Sequence, residues 1–381
     1  MLKHVTRYPV AIVVLSMLFC FAPPLIAQDE ESTLFATNEV LDIKLIVDFD
    51  TLCRPREVDN CEYAPTDIFY KTREGEERSI PAEIRIRGGW RSRKNHCKVP
   101  PLFVRFIEGK TSGSPFAGEK ILPLTTHCKS RRSVSISGGS TKGSAYEQYV
   151  LKEYLGYRIF NIIDDKSIRV RLLHIEYVQP GKRGKTIQRY AFFAEHFNAM
   201  AARYHAELLP GGSFDHERIN LTAIDNVALF NFMIGNTDSS IVRERNVVLI
   251  EVPEADAQQF PVPFDLDMAG LVDAEYSGVS PRLNFRNPKQ RMYLGFCHPQ
   301  VDFDALFKRF LENEAAIIAL PNEIPGMSRS SRKKTRKYLK QFFAVLNSEK
   351  DRAEHIIDAC LPWPPSPDDH TTPPESSQPE S

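Results

Sequence analysis

Between Leu41 and Ala194 the chain is a succession of short apolar stretches divided by turn residues, and a single long helical stretch interrupts them. Leu41 to Phe49, Ile80 to Arg87, Leu102 to Phe106 and Lys120 to Leu124 read as strands, most plainly Leu102-Phe103-Val104-Arg105-Phe106 with its half-buried alternation. The interruption, Ser144 to Ile163, sets Tyr146, Val150, Tyr154 and Ile159 at near-helical spacing and so offers one face for packing. Val170 to Tyr177 and Tyr190 to Ala194 follow as strands around the basic turn Gly181-Lys182-Arg183-Gly184. The pattern then changes. Ile224 to Ile234 is helical, Val247 to Ile250 and Val262 to Phe264 are short strands, and Val301 to Leu320 and Arg332 to Asp358 are helices. A strand-rich half with one inserted helix, followed by a helical half, predicts an α+β chain, long enough for one large domain or for two lobes sharing a cleft.

The ends bound the compartment. Lys3, His4 and Arg7 precede the apolar run Val10 to Phe21 and then Ala22-Pro23-Pro24-Leu25-Ile26-Ala27, the build of a secretory signal peptide over residues 1–27, with an uncleaved anchor as the alternative. Removal of that segment takes Cys20 with it and leaves Cys53, Cys61, Cys97, Cys128, Cys297 and Cys360, an even set. In an oxidising compartment such a set is a disulfide framework with fifteen possible connectivities, and proximity along the chain favours Cys53 with Cys61, Cys97 with Cys128 and Cys297 with Cys360. No Cys-x-x-Cys pair supports zinc. The expected location is secreted or periplasmic, with no stable membrane insertion once the signal is cleaved. Lysine plus arginine (49) balances aspartate plus glutamate (49), so no global field recruits nucleic acid. The basic run Arg329 to Lys340 reads as a solvated helix face, and the Pro- and Ser-rich tail of residues 361–381 reads as disordered.

Chemistry concentrates at Gly235-Asn236-Thr237-Asp238, at Asn246 and at Pro263-Phe264-Asp265-Leu266-Asp267. Gly and Asn tolerate positive φ and Asp caps its own backbone, so the first segment is a turn after a helix. Pairing of the two short strands as a hairpin would bring Asp238, Asn246, Asp265 and Asp267 together. Carboxylates and an amide oxygen suit Mg²⁺ or Mn²⁺, whose hard octahedral shells prefer oxygen. Each of these residues is equally a candidate for plain backbone hydrogen bonding in turns.

Ile84-Arg85-Ile86-Arg87-Gly88-Gly89-Trp90-Arg91-Ser92-Arg93, then Cys97-Lys98 leading into Leu102 to Phe106, resembles the Arg-Gly-Asn-Ser-Ser-Arg and Lys-Lys-Ser-Tyr opening of the spore-coat kinase CotH family. The Gly-Asn-Thr-Asp and Phe-Asp-Leu-Asp segments resemble that family's Asn-x-Asp turn and Asp-x-Asp strand end, in the same order over Leu41 to roughly Cys297. The chain is also similar, over nearly its whole mature length, to a group of secreted bacterial proteins carrying Gly-Asn-Thr-Asp, His-Asn-Val and a Tyr-Asp-Phe-Asp strand, from which no activity is carried over. The CotH resemblance implies a bilobal protein-kinase-like fold, with a strand-rich N-lobe over about 34–190 and a helical C-lobe over about 196–360, and phosphoryl transfer from ATP with a divalent metal.

By the same resemblance Asp238 orients the acceptor hydroxyl, Asn246 binds metal, and Asp265, with Asp267 as its competitor, is the principal metal ligand. Lys98 and Arg87 meet the nucleotide phosphates, Glu153 or Glu147 holds Lys98, and Ala194-Glu195-His196 forms a hinge beside the adenine. Two departures stand out: the Asp238 to Asn246 gap is long, and Gly89 and Trp90 replace the family's Asn and Ser.

Three functions compete on the sequence. The first is a phosphotransferase acting on a protein or glycan acceptor at the cell envelope. The second is a catalytically inactive cell-surface binding or structural protein. The third is a hydrolase using Asp238 and a metal-bound water, weakened by the lack of His and Cys ligands and of a Gly-x-Ser-x-Gly elbow.

Overall fold

The computed structural model describes residues 33–55, 60–72, 74–129, 145–181, 186–253, 257–278 and 287–365. The signal segment 1–27 and the tail beyond residue 365 lie outside the described residues, as do parts of the basic turn after Gly181 and of the connection before Gln258.

Seven strands close into a barrel: β1 (Leu41–Ile46), β2 (Ala64–Lys71), β3 (Glu77–Ile86), β4 (Leu102–Phe106), β5 (Ile121–Thr125), β6 (Val170–Val178) and β7 (Thr186–Ala194), in the order β1-β2-β3-β4-β5-β7-β6. Closure comes from a parallel pairing of β1 with β6, from Leu41 opposite Leu173 to Ile46 opposite Val178. Every other neighbouring pair in the barrel is antiparallel. A second, three-stranded sheet runs β10 (Gln258–Pro263), β9 (Val247–Val252), β8 (Glu207–Leu208).

This closed barrel, with a small separate sheet and surrounding helices, overturns the expected α+β bilobal kinase-like fold with its strand-rich and helical lobes. The physical reason is the β1–β6 ladder. It joins segments far apart in the chain and leaves the barrel no free edge, and a period-two pattern says which face of a strand is buried but not which strand lies beside it.

Two cores result. Ile43, Leu45, Ile68, Ile84, Val104 and Leu122 fill the barrel, each 5% exposed or less. The other core gathers α1 (Ala145–Ile163), α2 (Phe197–Arg203), α3 (Leu221–Ile234), the small sheet, α4 (Phe303–Glu312), α5 (Glu314–Glu323) and α6 (Arg329–Leu346). β6 and β7 serve both: Leu173, Ile175 and Ala191 point into the barrel, Leu172 and Phe192 into the helical core. Val170, Leu172, Leu173, Ile175 and Tyr177 of β6 are all buried, so the strand packs on both faces although Arg171, His174 and Glu176 interrupt its apolar residues. Each fully buried Leu, Ile or Phe contributes about 1.5–3 kcal/mol, so the two-sided strands anchor the barrel to the helices.

The helix ends follow capping chemistry. Asn220 accepts from Ala223 N at 2.9 Å to start α3, and Gly235 at φ 65° ends it. Ser328 accepts from Ser331 N at 3.1 Å to start α6. The stretch expected as one helix from Arg332 to Asp358 is broken after Leu346, where Ser348 caps a new turn at Glu349–Arg352. Three disulfides hold the chain, Cys53–Cys61, Cys97–Cys128 and Cys297–Cys360, with Cα separations of 5.5, 4.7 and 5.4 Å. They are the pairs expected from proximity, and they fit a compartment outside the reducing cytoplasm. Among the described residues no helix is long and apolar enough to cross a membrane. The start of the expected disordered tail is docked: Leu361 pairs with Phe296, and Trp363 packs against Phe296 and His298.

Candidate functional site

Backbone stitching brings the acidic turns together. Gly270 N donates to Gly235 O at 3.0 Å and Leu271 N to Ile234 O at 2.8 Å, which joins the end of α3 to the segment after β10. A Cβ on Gly235 would lie 2.1 Å from Tyr338 Oη, so glycine serves both the left-handed turn and the close approach of α6. Beyond it, Asn236 Oδ1 accepts from Asp238 N at 3.1 Å, while Asn236 Nδ2 donates to Asn231 Oδ1. β9 and β10 pair antiparallel as expected, with Val247 opposite Pro263, and Phe264 N donates to Asn246 O at 2.9 Å. Asn246 and Asp265 thus sit side by side at one end of the hairpin, both at φ 51°. Left-handed backbone at non-glycine residues is uncommon, and Asn and Asp tolerate it best.

α1 supplies the opposing wall. Glu153 and Tyr157 are one turn apart, and Gly156 lies between them because a Cβ there would come 2.9 Å from Leu266 Cδ1. That contact seats the single turn Leu266–Met268 against α1 and buries Asp267. Tyr157 Oη accepts from Asp265 N at 2.9 Å.

At the centre is Arg91, on the short turn Trp90–Ser92. Its guanidinium lies 2.7 Å from Asp265 Oδ1, 3.4 Å from Asp267 Oδ2 and 3.6 Å from Glu153 Oε2, and its side chain is 10% exposed. The turn is clamped from behind. Buried Arg54 donates to Ser92 O at 2.8 Å and Cys97 O at 3.0 Å, and the Cys97–Cys128 disulfide fixes the segment's far end. Arg87 donates to Thr125 Oγ1 at 2.9 Å and lies in the field of Arg91, Asp265 and Glu153.

Burial dominates the electrostatics. It pushes the Glu153 carboxyl up to about 8 against the pull of Arg91, with the charges of Asp267 and Asp265 adding to the rise. Burial likewise lifts Asp267 to about 7, against Arg91 and the hydroxyl of Tyr276 that donates to it. Asp238 is raised by burial and opposed by Arg245, whose Nη2 lies 2.5 Å from Oδ1; Asn246 Nδ2 donates to Asp238 O at 2.7 Å and to Oδ2 at 3.1 Å. Asp238 also feels the charge of Asp265, and Asp267 that of Asp238. The Asp265 side chain is 37% exposed, against 9% for Asp267 and 4% for Glu153.

Of the residues singled out in the sequence, Asp238, Asn246, Asp265, Asp267, Glu153 and Arg87 therefore share one site. Lys98 does not join them. It is exposed beside the Cys97–Cys128 disulfide, and Arg91 is the cation that meets Glu153. Glu147 faces elsewhere, accepting from Tyr190 N at 2.8 Å. Glu195 is buried and saturated: Arg169 reaches Oε1 at 2.9 Å and Arg203 reaches Oε2 at 2.8 Å. His196 caps α2, accepting from Asn198 N. Arg91, Tyr157 and Tyr276 were not singled out. The one legible signal was the i, i+4 spacing of Glu153 and Tyr157 on a helix already expected.

Among the described residues no three His, Cys, Asp or Glu side chains form a group able to hold a metal by themselves. Asp265, partly exposed beside Asn246, is the carboxylate of this group that solvent reaches most. Compared with known proteins, the chain matches no family model and no curated sequence.

Proposed function

We propose that the protein is an ATP- and Mg²⁺- or Mn²⁺-dependent phosphotransferase, acting outside the cytoplasm on a hydroxyl of a protein or glycan. The observation that carries this is one exposed carboxylate, Asp265, flanked by two arginines, Arg87 and Arg91, and within the field of a carboxylate held in a separate turn, Asp238. Phosphoryl transfer asks little covalent chemistry of a protein, and positioning with charge neutralisation carries most of it.

In this scheme Arg87 and Arg91 neutralise the phosphate oxygens, and Asp265 with Asn246 holds the cation. Asp267 keeps Arg91 in place from below. The cation, when bound, neutralises charge on the transferring group. Asp238 orients the acceptor hydroxyl and takes its proton as the new oxygen–phosphorus bond forms and the bond to the ADP leaving group breaks. Its raised proton affinity suits that task, and Arg245 and Asn246 fix its direction.

A second reading, a cell-surface binding module without catalysis, is favoured by one feature. Arg91 itself occupies Asp265, Asp267 and Glu153, so the acids are neutralised with nothing bound. Thermal melting separates the two. Purified protein is expected to gain stability with Mg²⁺ or Mn²⁺ plus ATP, by about 2.7 kcal/mol at a hundredfold excess over Kd, and Asp265→Ala should abolish the gain. Asp238→Ala should keep the gain and lose phosphate transfer. A protein indifferent to every nucleotide and metal combination ends the phosphotransferase proposal.

A further inference from the structure

The first twelve residues of α6, Arg329 to Lys340, contain seven Lys or Arg and no Asp or Glu. This arrangement works against the helix. A helix N-terminus favours acids, yet the first turn of α6 has none and begins with Arg329. Arg329 with Lys333, Arg332 with Arg336, Lys333 with Lys337 and Arg336 with Lys340 are like charges one turn apart, each pair destabilising. The chain as a whole carries as many acids as bases, so compensating carboxylates were available to the sequence. None is used: among the described residues no carboxylate pairs with any of the seven. The Nε atoms of Arg332 and Arg336 are buried with no hydrogen-bond partner. The apolar side of α6, including Leu339, Phe342 and Phe343, is spent in the core, so the cations are what the helix presents outward.

The chemistry of that face selects its partner. Arg329, Ser330, Lys333, Lys334, Lys337, Lys340 and Gln341 are exposed, and no aromatic or large aliphatic side chain stands among them; the large exposed apolar residues, Trp90, Ile107 and Ile357, lie on other elements. A protein partner would want apolar anchors, and a bilayer would want side chains to insert. Charge alone suits a flexible polyanion. Arg329 to Lys340 spans roughly 16 Å of helix with cationic steps of about 6 Å, enough to track several charged units of an extended chain. Three disulfides fit a compartment outside the reducing cytoplasm, and a linear anionic polysaccharide offers regularly spaced charges with no apolar groups to bury.

We infer that the outer face of α6 is a docking surface for a linear anionic polysaccharide, bound through Arg329, Lys333, Lys334, Lys337 and Lys340. The inference stands whether or not the site transfers phosphate.

The test measures binding of the full chain to heparin, as a model sulfated polysaccharide, with neutral dextran as control. Heparin binding is expected at low salt, with an affinity that falls steeply as salt rises. The combined variant Lys333→Gln, Lys334→Gln, Lys337→Gln and Lys340→Gln should lose about tenfold or more in affinity while melting no lower than the parent, because it relieves like-charge repulsion. The matching Lys→Arg set should retain binding, which excludes misfolding as the cause. A control set on other elements, Lys71→Gln, Lys110→Gln, Lys120→Gln and Lys308→Gln, should change little. Absence of heparin binding, or an equal loss in the control set, overturns the inference. So does tighter binding to anionic phospholipid vesicles, to duplex DNA or to polyglutamate.

Discussion

Arg91→Met removes the cation that pairs with three carboxylates, and its cost should depend on pH in a way that the buried acids dictate. Glu153 and Asp267 hold their protons to about 8 and about 7 in the folded protein, because burial disfavours their charged forms. Both values lie above those of an unfolded chain, so the folded state binds more protons between about pH 4 and 8 and stability falls as pH rises through that window. Near pH 5.5 both acids are neutral. Arg91 then has only Asp265 as a charged partner, so its loss should cost less than at high pH. Near pH 8.5 Asp267 is charged and Glu153 largely so, and deleting their buried partner should cost about 3–5 kcal/mol. Urea unfolding midpoints for the parent and the variant at the two pH values measure the difference, with the disulfides kept intact. Adding Glu153→Gln and Asp267→Asn to Arg91→Met should recover most of the high-pH loss, since the two acids that Arg91 compensates then carry no charge. A loss of the same size at both pH values, or no recovery in the triple variant, refutes the account of Arg91 as the counter-ion of two buried acids.

Two further outcomes test how the site is held. Gly235→Ala should destabilise by about 1–2 kcal/mol from the left-handed backbone alone, with more from the contact with Tyr338 Oη; adding Tyr338→Phe should return the contact part but not the backbone part, as read from thermal melting. Glu195→Gln should cost about 3–5 kcal/mol in urea, because Arg169 and Arg203 lose the buried carboxylate they share, and should leave any Mg²⁺-ATP affinity unchanged; a large fall in that affinity would return Glu195 to the nucleotide site.

Local patterns were the legible part of this chain. The alternation in Leu102 to Phe106 matches β4 to the residue, and the apolar spacing after Ser144 gives α1 to within one residue at its start. The pairing of Val247 to Ile250 with Val262 to Phe264 and all three disulfides were readable because the partners are close in sequence or few in number. β2 was missed because Ala64-Pro65-Thr66-Asp67 carries turn character, one Pro and one Asp, ahead of its apolar residues. α2 was missed because it is a seven-residue helix with no room to show a period. Barrel closure was hidden for another reason: it rests on a parallel ladder between Leu41–Ile46 and a strand that arrives only after α1.

The candidate site shows where motif spacing stops being informative. Asp238, Asn246 and Asp265 were found because turns announce themselves through Gly, Asn and Asp, and the structure joins those turns by backbone bonds between Gly235 and Gly270 and between Asn246 and Phe264. The resemblance assigned the cation to Lys98, a lysine beside a strand, whereas Arg91 is the basic side chain that meets Glu153. Which basic side chain reaches Glu153 is decided by neither residue's neighbours in sequence. It is decided by Arg54 and the Cys97–Cys128 disulfide, which turn the segment from Trp90 to Cys97 so that Arg91 faces inward and Lys98 faces solvent. A single inward-facing arginine also accounts for a sequence that buries Glu153 and Asp267 within reach of each other: with Arg91 present, two acids whose protons leave near neutrality remain compatible with the core, and Asp265 is left as the carboxylate that solvent can reach.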